Sequence, residues 1–187
     1  MARYISMLRG INVSGQKLIK MDDLKKAYKT SGFQNVRTYI QSGNVIFQTA
    51  KTPPLKLSEK ISEIIFKKFN FHVAALVKTL EEMDEIVRNN PFLKEKRIDQ
   101  AKLYVTFLSQ PSKTASIKKL NENIRRIEKF YCHGNEVYLY CPDGYGRSKL
   151  SNNLFEKVFS SAATTRNWKT VINLHEEAMI LSGKRIK

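Results

Sequence analysis

One order of elements runs twice along this chain, and it restricts the fold more than any single motif. Apolar residues alternate over Tyr4 to Leu8, then recur at helical spacing at Met21, Leu24, Ala27 and Tyr28. They alternate again over Val36 to Gln41 and Asn44 to Thr49. After Pro53-Pro54, the residues Leu57, Ile61, Ile64 and Ile65 outline a second amphipathic helix, and His72 to Lys78 reads as a strand apolar on both faces. A helix from Leu80 to Asn89 ends this half. The second half predicts a strand at Lys102 to Leu108, a helix at Thr114 to Arg126, and two strands flanking His133-Gly134-Asn135-Glu136. A helix at Lys149 to Phe159, a strand at Ala163 to Arg166 and a helix at Trp168 to Leu181 complete it. The order β-α-β-β-α-β closes a four-stranded antiparallel sheet, in spatial order 4-1-3-2, with both helices on one face. The fold class expected is therefore α+β: two tandem ferredoxin-like subdomains, residues 1–95 and 96–187, each followed by an extra helix.

The turns fix provisional registers. With Ser42-Gly43 as a two-residue turn, Ile40 faces Val45 and Thr38 faces Phe47, while Arg37, Tyr39, Gln41, Asn44, Ile46 and Gln48 point the other way. With Gly134-Asn135 as the second turn, Cys132 lies opposite Val137 and not opposite Cys141. The tyrosines 104, 131, 138 and 140 share a period-two register, which predicts a common sheet face able to stack bases, or to pack internally.

Lysine and arginine number 33 against 17 acidic residues, a net charge of +16. A surface field of that sign favours polyanions, although lysines scattered over amphipathic helices also serve solubility. No apolar run reaches the roughly 18 residues that span a bilayer, and the arginines within MARYISMLRGI do not suit a signal peptide. A cytoplasmic, non-membrane protein is expected. Cys132 and Cys141 lack a CxxC or Cys/His setting, and His72, His133 and His175 are far apart in sequence, so neither a disulfide, a metal nor another cofactor is expected.

LRGINVSGQKLIKM, from Leu8 to Met21, nearly forms a phosphate loop. Gly10 and Gly15 have the spacing of G-x-x-x-x-G-K-[ST], but Gln16 replaces the lysine and no hydroxyl follows Lys17. The stretch reads as a glycine-punctuated connection. DGYGRSKLS (Asp143 to Ser151) and TTRNWKT (Thr164 to Thr170) each lead from a strand into a helix. Their strands run the same way in the 4-1-3-2 order, so two helix N-termini emerge at one sheet edge, beside Arg147, Lys149, Arg166 and Lys169. GYGRS is not the G-x-S-x-G nucleophile elbow, and no hydrolytic triad stands out; an acid or base would have to be Asp143, His133 or a tyrosine.

The start LRGIN, the hairpin QSGN, NPF and the end GRSKLS…TTRNWKTVINL resemble the bacterial domain-of-unknown-function family numbered 1697. The resemblance implies a two-part α+β fold and a cytosolic protein, and it brings no activity or catalytic residue. The matching positions that are polar or amphipathic form the candidate binding set: Arg9, Asn12, Lys20, Gln41, Ser42, Asn44, Ser148, Lys149, Arg166, Asn167 and Trp168. The ligand class expected is anionic, either nucleic acid or a phosphorylated small molecule, with stacking on Trp168 or Tyr140. A small enzyme acting on a phosphorylated or nucleotide substrate at the seam between the subdomains is the alternative, and a protein-interaction module a third.

Overall fold

The computed structural model describes residues 1–13, 15–121 and 127–181. The chain forms two compact units, one of Met1–Glu85 with the chain from Asn173 onward, the other of Ile86–Ile172. Both dividing points fall inside helices.

The first unit holds β1 (Ala2–Leu8), α1 (Met21–Thr30), β2 (Gln34–Tyr39), β3 (Asn44–Thr49), α2 (Pro54–Phe69) and β4 (Ala75–Thr79), with α3 (Leu80–Arg88) following. Its sheet has the order β2-β3-β1-β4, antiparallel throughout. Tyr4, Leu8, Val45 and Phe47 project onto α1 and α2, where they meet Leu24, Tyr28, Ile61 and Ile65 in one buried cluster. Burying such side chains contributes about 1.5–3 kcal/mol each, the main term holding the helices to the sheet. The Tyr28 hydroxyl is satisfied inside this core by Ser6 Oγ at 2.8 Å. Pro54 opens α2 where its missing N–H costs nothing, and Asn70 ends it in the left-handed region at φ 59°.

The second unit holds β5 (Leu103–Leu108), α4 (Thr114–Asn121), β6 (Lys129–His133), β7 (Glu136–Tyr140), α5 (Asn152–Phe159) and β8 (Ala163–Asn167), with α6 (Trp168–Ile180) following. The sheet order is β6-β7-β5-β8. Leu108, Leu120, Val137, Leu139, Phe155 and Ala163 form its core on the helix side. Two tandem ferredoxin-like subdomains, each followed by an extra helix, are thus present. The expected end of α4, at residues 122–126, lies outside the described residues.

Four local expectations are corrected. The first hairpin turns through residues 40–43, and Thr38, not Ile40, faces Val45. Asn44 explains the longer loop: its Nδ2 donates back to the Tyr39 carbonyl and to Ser42 Oγ, while Gly43 gives its carbonyl to Leu8 of β1. The shift is two residues, so each side chain keeps its predicted face. The fourth strand starts at Ala75, because β1 ends opposite it and His72 instead stacks on Phe66 at 4.3 Å. The helix expected from Lys149 begins at Asn152, since Ser148 Oγ accepts from Leu150 N and Ser151 caps Leu154 N. Tyr104 pairs with Leu139 and Asn167, which puts it on the sheet face opposite to Tyr131, Tyr138 and Tyr140. Tyr138 is 1 % exposed and donates to the Ile86 carbonyl, so the four tyrosines form no common platform.

Candidate functional site

The candidate residues of the first unit converge where the loop after β1 meets the β2–β3 hairpin. Asn12 has φ 54°, a left-handed conformation that asparagine tolerates. Its Nδ2 donates to the carbonyls of Ile19 and Gln41, and its Oδ1 accepts from Ile19 N. Ser42 and Asn44 are joined to each other as described, with Asn44 fully buried. Arg9 fixes the strand end by donating its backbone N–H to Ala74, and exposed Lys20 precedes α1. The amide side chains are thus engaged in holding the loop to the hairpin, and the exposed charge here belongs to Lys17 and Lys20. Lys17 Nζ in turn donates to the His72 carbonyl at 2.8 Å.

The second unit presents a hydroxyl network where the loop after β7 enters α5. Thr165 on β8 sits opposite Thr106 on β5, and their Oγ1 atoms are 2.7 Å apart. Thr165 Oγ1 donates to Asn152 Oδ1 at 2.7 Å and lies 2.9 Å from the Tyr145 hydroxyl. One hydroxyl carries one proton and two lone pairs. With that proton on Asn152, Thr106 and Tyr145 must be the donors to Thr165. The Tyr104 ring lies against Tyr145, centroids 5.3 Å apart, and its hydroxyl accepts from Tyr145 N at 3.4 Å. Both rings are partly exposed, and exposed Arg147 and Lys149 lie in the same loop.

The other candidates of this unit fall into different roles. Ser148 faces inward, hydrogen-bonded to Leu150 N and to the Cys141 thiol. Burial nevertheless pushes Cys141 up to about 11, the Ser148 bond acting against it and the Glu128 charge adding to it. Arg166, 8 % exposed, donates through Nη1 to Thr164 Oγ1 and the Thr165 carbonyl, on the sheet face away from Asn167. Asn167 caps α6 by accepting from Thr170 N at 2.7 Å, and Trp168 is 5 % exposed. Sequence reasoning left Thr106, Asn152 and Thr165 unmarked. Their signal was one threonine inside the apolar β5 and another on the polar β8, and it becomes visible only once the β5–β8 register is known.

The family model described as "protein of unknown function (DUF1697)" matches residues 1–138, well over half of the sequence. The chain belongs to the DUF1697 family. The fold of this DUF1697 chain is shared by the conserved bacterial protein SP0830 from Streptococcus pneumoniae, with a TM-score of 0.74 at 22% identity, covering 95% of this chain and 98% of that one. No curated protein matches. The hydroxyl network's loop and helix, residues 143–159, lie beyond the family-matched segment. Among the described residues, no group of three or more His, Cys, Asp or Glu is placed to hold a metal, and no helix is long and apolar enough to cross a membrane.

Proposed function

We propose that this DUF1697 protein binds a phosphate-bearing anion at the entry to α5. The observation that carries the reading is the meeting of Tyr104, Tyr145, Asn152 and Thr165, from a strand, a loop, a helix start and another strand, in one network flanked by exposed Arg147 and Lys149. The Tyr104 hydroxyl accepts from Tyr145 N on one lone pair and keeps its proton for an acceptor outside. The first turn of α5 carries no acidic residue, so its positive dipole end is not cancelled locally. The +16 net charge draws anions toward the protein at long range. Lys149 is the charged member of the original candidate set that remains exposed in this unit, whereas Arg166 is buried and its removal would disturb β8.

Fluorescence anisotropy with a labelled 12-nucleotide single strand and a labelled adenosine monophosphate, titrated over salt, tests this. Arg147→Ala with Lys149→Ala should weaken binding while circular dichroism stays unchanged. Oligonucleotide binding with a steep salt slope would assign nucleic acid, and salt-insensitive mononucleotide binding a small phosphorylated ligand. Equal affinity of the double variant and the parent would overturn the site.

A further inference from the structure

The first unit carries a cleft of about 380 Å³ along the outer edge of β2, lined by Lys25, Arg37, Thr38, Tyr39, Ile46 and Glu177. Three consecutive strand residues in its lining make it a slot that follows the edge. β2 is the terminal strand of its sheet, and the direction of its backbone groups follows from one hydrogen bond. Leu8 N donates to the Gly43 carbonyl, so Gly43 turns toward β1. N–H and C=O of one residue in an antiparallel strand point to the same side, and the side alternates along the chain. Val45 therefore turns to β1, while Asn44 and Ile46 turn to β2, where they face Tyr39 and Arg37. Thr38, between these two, sends its N–H and C=O outward into the slot. Neither group meets a partner among the described residues.

We infer that this edge accepts an extended peptide as a fifth strand, with an acidic residue directly opposite Thr38. A residue paired with Thr38 would exchange both backbone hydrogen bonds with it and would place its side chain on the same sheet face. That face is the one covered by α1, from which Lys25 lines the slot, and Lys25 makes no ion pair among the described residues. The neighbouring peptide side chains would fall on the other face, against buried Ile46 and the Tyr39 ring, where Arg37 is already paired with Glu177 at 3.1 Å. A carboxylate opposite Thr38 thus meets the uncompensated cation, and apolar residues beside it meet the apolar floor. A second copy of this chain fits less well, because a two-fold pairing about Thr38 brings Lys25 against its own counterpart. The β-bulge between Gln34 and Arg37 ends straight pairing on one side and limits the docked segment to a few residues.

The test uses the full chain and the fluorescein-labelled peptide Ser-Thr-Val-Asp-Val-Thr-Ser, its Asn and Lys counterparts at the central position, and a form N-methylated at the central aspartate. Anisotropy should show saturable binding of the Asp peptide, about fivefold weaker binding of the Asn form, and loss of binding on N-methylation. Lys25→Glu, on a partly exposed helix position that the fold tolerates, should turn the preference toward the Lys peptide. Equal binding of all four peptides, or no saturable binding of any, would overturn the proposal. So would sedimentation showing a dimer that Thr38→Pro converts to a folded monomer.

Discussion

Asn12 and Gln41, 29 residues apart, are joined by a 2.9 Å hydrogen bond from the Asn12 amide to the Gln41 carbonyl. The same side chain closes the Asn12–Ile19 loop on itself through two further bonds. Asn12→Ala removes all three and leaves alanine at φ 54°, so it should cost about 2–4 kcal/mol, read as a lower urea midpoint with unchanged m-value. Asn12→Asp keeps the acceptor for Ile19 N and should lose less. Equal midpoints for parent and alanine variant would show that the clamp contributes nothing.

Gly43→Ala tests close approach as distinct from backbone conformation. A Cβ at Gly43 would stand 2.6 Å from Ile11 Cδ1 and 2.9 Å from Leu8 Cβ, in a residue whose φ is +72°. At Gly10 the φ is +67° but nothing lies within 4 Å. Gly10→Ala should therefore cost about 1–2 kcal/mol for conformation alone, and Gly43→Ala roughly 2 kcal/mol more for the overlap. Thermal unfolding of the two variants side by side measures the difference.

Thr165→Val keeps shape and strand preference but removes the centre of the hydroxyl network. It leaves the Asn152 acceptor and the Thr106 and Tyr145 donors without their shared partner, a loss of about 1–3 kcal/mol in denaturant unfolding. Tyr145→Phe removes one donor only and should cost about 1 kcal/mol. A Tyr145 effect as large as that of Thr165 would contradict the proton order assigned to the network.

The two thiols make stability fall in alkali. Burial holds Cys132 and Cys141 at about 11 against an ordinary 9.0, with the Ser112 bond opposing the shift at Cys132. Each contribution is complete below pH 9, where the unfolded thiols are still protonated, and is lost as pH climbs through 11. Burial of the Tyr28 and Tyr138 phenols raises them as well, extending the loss in the same direction. At pH 8 the native thiols should react with iodoacetamide about 100-fold more slowly than in urea, on thiolate fraction alone. Equal rates, followed by mass spectrometry, would refute the shift.

Periodicity carried the sheets and helices because alternation and helical spacing report burial directly. Tyr4 and Phe47, buried and stacked at 5.7 Å, are legible as inward positions of their strands. Residues whose roles depend on side-chain reach were not. Asn44 looked like a ligand group until its amide was seen to close the hairpin, and Ser148 until it was seen to turn inward. Arg166 follows the same logic: a charge in a motif reads as exposed, yet strand alternation alone decides its face. Tyr104 was misassigned because period two within a strand cannot relate one strand to another without the register between them.

The second half of α6 lies on the first unit's sheet, where Asn173 donates to Tyr39, Glu177 pairs with Arg37, and the Leu181 carbonyl accepts from Gln48. The sequence separations are 134, 140 and 133 residues. During synthesis, β2 and β3 therefore leave the ribosome long before this cover exists, with Ile46 and the Tyr39 ring waiting on the uncovered side. Closing loops of that length is slow relative to pairing neighbouring strands. The nascent first unit must wait for the whole of the second to be translated before its last face is shielded, an interval in which a chaperone has a defined apolar surface to hold.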